Sequence, residues 1–192
     1  IKLKNEFQDK KNMGDTVVTT LDADLQKAAY QALGEKKGAV VVMEPKTGKI
    51  LAMVSKPDFD PNTVESSWNA LSTDENSVLL NRATQGQYAP GSTFKVVTLL
   101  EFMRENPDYS SYSYNCTGSI ENSGIKIHCY NGHVHGQVSL EESLAYSCNT
   151  SFSNIGLSLD PVKFKKTAEE VLFDSKLSSD LPYSKSSFTM DS

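Results

Sequence analysis

Apolar and polar positions change period several times along the chain, and each change predicts an element. Thr16-Val17-Val18-Thr19-Thr20 is β-branched throughout and reads as a strand. Asp22 or Asp24 then caps a helix whose apolar positions Leu25, Ala28, Ala29, Ala32 and Leu33 recur at helical spacing until Gly34 ends it. Two strand-like runs, 38–43 and 49–54, flank Glu44-Pro45-Lys46-Thr47-Gly48, a loop whose Pro and Gly predict an antiparallel hairpin. The segment 57–76 is irregular and polar around the single tryptophan, Trp68. Val96 to Met103 is apolar and long enough for a buried helix, entered through Pro90-Gly91 and ended by Asn106-Pro107. Tyr109 to Val138 is rich in Ser, Tyr, Asn and Gly and reads as loop. Ser139 and Glu142 form a capping box for a helix that breaks at Ser147-Cys148-Asn149 and resumes through Phe152, Ile155 and Leu159. Asp160-Pro161 starts a last helix, with Phe164, Ala168, Val171 and Leu172 as its buried stripe. No clear element follows Phe173.

This order predicts an α+β fold, an antiparallel sheet with helices against it. Lys2 to Met13, charged and without period, reads as a tether, which leaves 14–192 as one domain. The chain has 192 residues, enough for a proper core. Its net charge of −5 and its lack of a basic stripe argue against a nucleic-acid partner. The longest apolar run, Ala39 to Met43, is far short of the roughly 20 residues that span a bilayer. The start has no signal-peptide stretch, so these residues are expected to be soluble, as an excised piece of a longer protein would be.

Ser92 and Lys95 stand three apart at the start of the buried helix, which puts both side chains on one face. A serine hydroxyl becomes a nucleophile when a base takes its proton. A lysine among apolar neighbours loses part of its preference for the charged form and can be that base. The positive end of the helix favours the developing alkoxide. Ser147 and Asn149, two apart where the helical run breaks, can project into one cleft. Ser147 could pass a proton to a leaving amine, and Asn149 could hold both Lys95 and a substrate amide. Each pattern alone is short enough to arise by chance.

The cysteines are Cys116, Cys129 and Cys148, an odd count that does not establish an oxidised compartment. Cys116 and Cys129, 13 apart in a Gly/Ser/Asn-rich segment, are candidates for a disulfide-closed loop. His128, Cys129, His133 and His135 with Cys116 are ligand types that suit zinc. Their spacing fits none of the common zinc patterns, so neither metal nor cofactor is expected. Cys148 reads as a small packed residue.

Taken together, Ser-x-x-Lys after Pro-Gly and Ser-x-Asn 55 residues later resemble the boxes of the penicillin-binding protein transpeptidases and the related β-lactamases. The likeness runs from about Gly14 to Leu159. It includes residues 14–26, the hairpin residues 38–53, Asn81-Arg82-Ala83, Tyr88 to Ser92, and His135-Gly136. The pattern is most similar to the monofunctional class B type. The resemblance implies peptidoglycan cross-linking outside the bacterial cytoplasmic membrane, by a parent anchored in that membrane within a cell-wall synthesis complex. Ser92 would attack the D-Ala-D-Ala carbonyl of a stem peptide, Lys95 would take its proton, and Ser147 would help D-alanine leave. Backbone N–H groups would meet the oxyanion. β-Lactams would trap Ser92.

One departure concerns the family's third box, Lys-Thr/Ser-Gly, which binds the substrate carboxylate from a strand after the second box. No such triplet follows Asn149, and Lys46-Thr47-Gly48 precedes Ser92 on a hairpin turn. The expectation is a domain truncated before its C-terminal strands. A β-lactam sensor or a β-lactamase shares Ser-x-x-Lys and differs in how fast the acyl-enzyme hydrolyses. No Glu-x-x-x-Asn-like deacylating segment is identifiable between the boxes. A non-catalytic scaffold is the alternative outside the enzymes: the missing third box favours it, and intact Ser92, Lys95, Ser147 and Asn149 oppose it.

Overall fold

A computed structural model describes residues 16–190. The tether read at 1–13 lies outside the described residues. Two compact units divide the chain, the first ending at Gly86 and the second beginning at Gln87.

In the first unit, helix α1 (Ala23–Leu33) is capped by Asp22, whose carboxylate accepts the Leu25 N–H at 2.9 Å. Strands β1 (Gly38–Met43) and β2 (Ile50–Lys56) form the expected antiparallel hairpin. Ala29 of α1 packs on Ala52 and Val54, with Leu33, Val40 and Val42 around them. The Gln26 amide clips α1 to β2, donating to Met53 O at 2.7 Å and accepting from Met53 N at 2.8 Å. Thr16 to Thr20 is not a strand. Val17 and Val18 are exposed, and only the Thr20 hydroxyl and the Asp22 N–H reach the hairpin, at Ile50 O and Leu51 O. β-Branching alone does not make a strand, and among the described residues the segment joins no ladder. The irregular reading of 57–76 also needs correction. A 3₁₀ turn (Pro61–Thr63), capped by Asp60, leads into helix α2 (Val64–Ser72), which partly buries Val64 and Leu71. Arg82 is buried and donates to the Ser77 and Asn76 carbonyls, fixing the loop after α2.

In the second unit, a 3₁₀ turn (Gly91–Phe94) runs directly into helix α3 (Lys95–Glu105). The segment read as loop contains three short strands, β3 (Ser113–Cys116), β4 (Ser119–Asn122) and β5 (Ile125–His128), followed by β6 (Gly136–Ser139). β3 pairs with β6 and β4 with β5, both antiparallel. Four residues are the lower limit for an alternating pattern, and Ser-Tyr-Asn-Cys, Ser-Ile-Glu-Asn and Gly-Gln-Val-Ser hold few apolar positions, so their signal in the sequence is weak. Gly118 turns the chain from β3 to β4 at φ +90°. A Cβ there would meet Gly132 O at 2.8 Å, so this close approach requires glycine.

Helix α4 (Leu140–Ala145) begins with the expected capping box. Helices α5 (Asn149–Ser158) and α6 (Pro161–Glu170) follow, the latter capped by Asp160. Val97 and Phe102 of α3, Leu140, Phe152, Ile155, Leu159, Phe164 and Ala168 form the core. The tail after Phe173 has no helix or strand among its described residues. Phe188 nonetheless packs against Phe94, ring centroids 5.0 Å apart and tilted, and edge-on against Phe164 at 5.4 Å. Among the described residues no helix is long and apolar enough to cross a membrane.

Candidate active site

Ser92 lies in the 3₁₀ turn and Lys95 is the first residue of α3. At three residues per turn, side chains three apart eclipse, which aligns the two more closely than an α-helix would. The other half of the site comes from the break between α4 and α5. Ser147 takes a left-handed conformation, φ +51°, which stops α4 and turns its hydroxyl toward Lys95. Cys148 caps α5 and Asn149 is its first residue.

Lys95 Nζ is the centre of this geometry. It donates to Ser147 O at 2.7 Å, Ser147 Oγ at 2.8 Å and Asn149 Oδ1 at 2.7 Å, and it lies 3.4 Å from Ser92 Oγ. The Phe152 ring sits 5.5 Å away. Burial lowers the Lys95 pKa from its ordinary 10.5, and the nearby Cys148 and Cys129 thiols oppose that shift. Asn149 is oriented at both ends, because its Nδ2 donates to His128 O at 2.9 Å. One Nδ2 hydrogen is left for a ligand. Ser92 and Ser147 are exposed in a cleft of about 440 Å³, whose wall includes Tyr130, His133 and Tyr146. Tyr130 and Tyr146 carry no spacing signal in the sequence, and His133 stands out there only as a candidate metal ligand.

The four polar residues singled out from the sequence are thus brought together, and an exposed hydroxyl, an amine of lowered basicity and an oriented carboxamide face one cleft. Lys46-Thr47-Gly48 lies on the β1–β2 turn of the first unit, where the Thr47 hydroxyl donates to the Glu44 carboxylate. The family model for the penicillin binding protein transpeptidase domain matches residues 38–192. The chain belongs to that family. Among its relatives, peptidoglycan D,D-transpeptidase PbpA of Mycolicibacterium smegmatis is 38% identical over 189 residues, covering 88% of this chain and 38% of the relative. The structure of penicillin-binding protein A from M. tuberculosis as an imipenem acyl-enzyme complex is similar with a TM-score of 0.76 at 30% identity. The match covers 91% of this chain and 44% of that one. The D,D-transpeptidase domain of a peptidoglycan glycosyltransferase from Eggerthella lenta gives a TM-score of 0.81 at 31% identity, with 91% and 44% covered. The chain therefore spans less than half the length of these relatives.

The cysteines differ from expectation. Cys116 and Cys129 are free, with Sγ atoms 3.7 Å apart against the roughly 2.05 Å of a disulfide. Cys148 Sγ is 3.8 Å from Cys129, so Cys129 has two equivalent neighbours and no unique partner. Burial, the largest influence, pushes the Cys116 thiol up. Hydrogen bonds from Thr150, His135 and the Gly118 backbone outweigh it and draw the thiol down to about 5. Burial raises the Cys148 thiol.

Proposed function

We propose that this chain carries the nucleophile and general-base part of a serine D,D-transpeptidase, acting on peptidoglycan stem peptides that end in D-Ala-D-Ala. The convergence of Lys95 Nζ on Ser92, Ser147 and Asn149 supports this reading most directly, and membership of the family supplies the substrate class. Neutral Lys95 accepts the Ser92 proton as Oγ bonds the carbonyl carbon of the penultimate D-alanine. The C–N bond to the terminal D-alanine then breaks, and Ser147, hydrogen-bonded to the resulting ammonium, passes a proton to the departing amine. An acceptor amine attacks the ester, displaces Ser92 Oγ, and returns its proton through Lys95. Asn149 holds Lys95 on one side and presents its free N–H to the substrate amide on the other. A β-lactam follows the first step only, because its leaving group stays tethered. The reaction belongs outside the cytoplasmic membrane, where peptidoglycan lies, in a parent held there by a membrane anchor and working with other wall-building proteins.

A thioester donor ending in a D-alanine analogue, with a D-amino acid as acceptor, tests the full cycle. Acceptor-dependent release of thiol, lost in Ser92→Ala, is the expected result. Release that is unchanged in Ser92→Ala would overturn the assignment.

A further inference from the structure

Beneath the cleft, Cys116, Cys129, His135 and Cys148 bring one ligand atom each to within 4.8 Å of one another, and all three cysteines are buried. These four come from four segments. Cys116 ends β3, Cys129 follows β5, His135 precedes β6, and Cys148 caps α5. We propose that they form a structural zinc site, a tetrahedral Cys₃His set that ties these segments together under Ser147 and Asn149.

The separations carry the argument. A tetrahedron with Zn–S near 2.3 Å and Zn–N near 2.05 Å has edges of about 3.8 Å between sulfurs and about 3.6 Å between sulfur and nitrogen. Cys116 Sγ to Cys129 Sγ is 3.7 Å, Cys129 Sγ to Cys148 Sγ is 3.8 Å, and Cys116 Sγ to His135 Nδ1 is 3.4 Å. Three thiols that crowd this closely cannot all ionise without a cation, because like charges disfavour one another. A dication removes that conflict: each bound thiol gives up its proton to solvent, and a neutral imidazole completes the set. One disulfide would leave the third thiol and His135 unaccounted for.

Residues around the four fit the same purpose. The Thr150 hydroxyl lies 3.2 Å from Cys116 Sγ, 3.4 Å from Cys148 Sγ and 3.7 Å from Cys129 Sγ, as a hydrogen-bonding support to the ligand sulfurs would. The His135 ring is held by stacking on Tyr146 (2° between planes) and by the edge of His133 at 4.7 Å. The ligand types that sequence proximity groups together include His128 and His133 and leave out Cys148. The cluster contains neither of those histidines and does include Cys148, which the chain topology alone brings in.

Metal content tests the inference independently of transpeptidase activity. Untagged protein, purified from zinc-supplemented medium without chelator, is analysed by elemental mass spectrometry and by zinc release on titration of its thiols with a mercurial. One equivalent of zinc, released as the three thiols react, is expected. Exchange with Co²⁺ should then give thiolate-to-cobalt charge-transfer absorption together with the visible bands of a tetrahedral ion. Both readouts use the wild type, so a variant that fails to fold does not blunt them. Cys129→Ser should lose the zinc, His133→Ala should keep it, and Thr150→Val should weaken affinity about 10–100-fold. Zinc-free protein with three freely reactive thiols, or with a disulfide, would overturn the proposal. So would zinc that exchanges for cobalt without a thiolate band.

Discussion

Lys95 offers three N–H donors to four oxygen atoms, and the longest of the four contacts is the one to Ser92. Ser147 and Asn149 hold the ammonium in its resting position. When Lys95 is neutral it has a lone pair to spend, and two hydroxyls are within reach as donors, Ser147 Oγ at 2.8 Å and Ser92 Oγ at 3.4 Å. Only the neutral amine can accept a proton, so acylation is expected to rise as pH climbs through the lowered Lys95 pKa, in a window that begins below 10.5. Lys95→Arg cannot deprotonate. It should remove that rise and slow acylation by about 10²–10⁴-fold in a stopped-flow assay with a chromogenic cephalosporin. Asn149→Ala loses the bonds to Lys95 and to His128 O. We expect slower acylation and a stability loss of about 1 kcal/mol by urea denaturation, since half-buried Lys95 loses a partner while the exposed His128 carbonyl is taken up by water. This part of the site was legible because it is local: residues three apart and two apart announce their shared face before any fold is known.

Elements were legible in proportion to their length and their caps. The Asp160-Pro161 start of α6 shows the physical reason: Asp160 Oδ1 accepts the N–H groups of Val162 and Lys163 at 2.9 and 3.0 Å, a local bond set that depends on nothing distant. Asp160→Ala should therefore cost about 1 kcal/mol, read as a lower melting temperature. Beyond its first turn α6 is held to α3 by buried Glu101, which accepts from the Thr167 hydroxyl, and by the Arg104–Glu170 ion pair at 2.6 Å. The β3–β6 pair, in contrast, exists because β3 finds β6 across about twenty residues of chain, beyond any short window of sequence, whereas β4 and β5 form a local hairpin across Ser123-Gly124. Thr16 to Thr20 failed in the opposite direction, with strand residues in place but no ladder to join.

At the scale of the molecule, each unit has its own apolar centre. Ile155, fully buried among Phe152, Leu159 and Phe164, is the middle of the second. Ile155→Ala should cost about 2–5 kcal/mol in urea denaturation, the range for a large-to-small change at a packed site. The Cys₃His cluster shows the limit of reading by spacing, because its four members are adjacent only after β3, β5, β6 and α5 have assembled. The central claim is that Ser92 is an acylated nucleophile, and intact-mass spectrometry after incubation with benzylpenicillin tests it most directly. The account predicts a persistent adduct of one penicilloyl group on the wild type and none on Ser92→Ala. An equal adduct on both proteins, or drug consumed by the Ser92→Ala variant as fast as by the wild type, would contradict it.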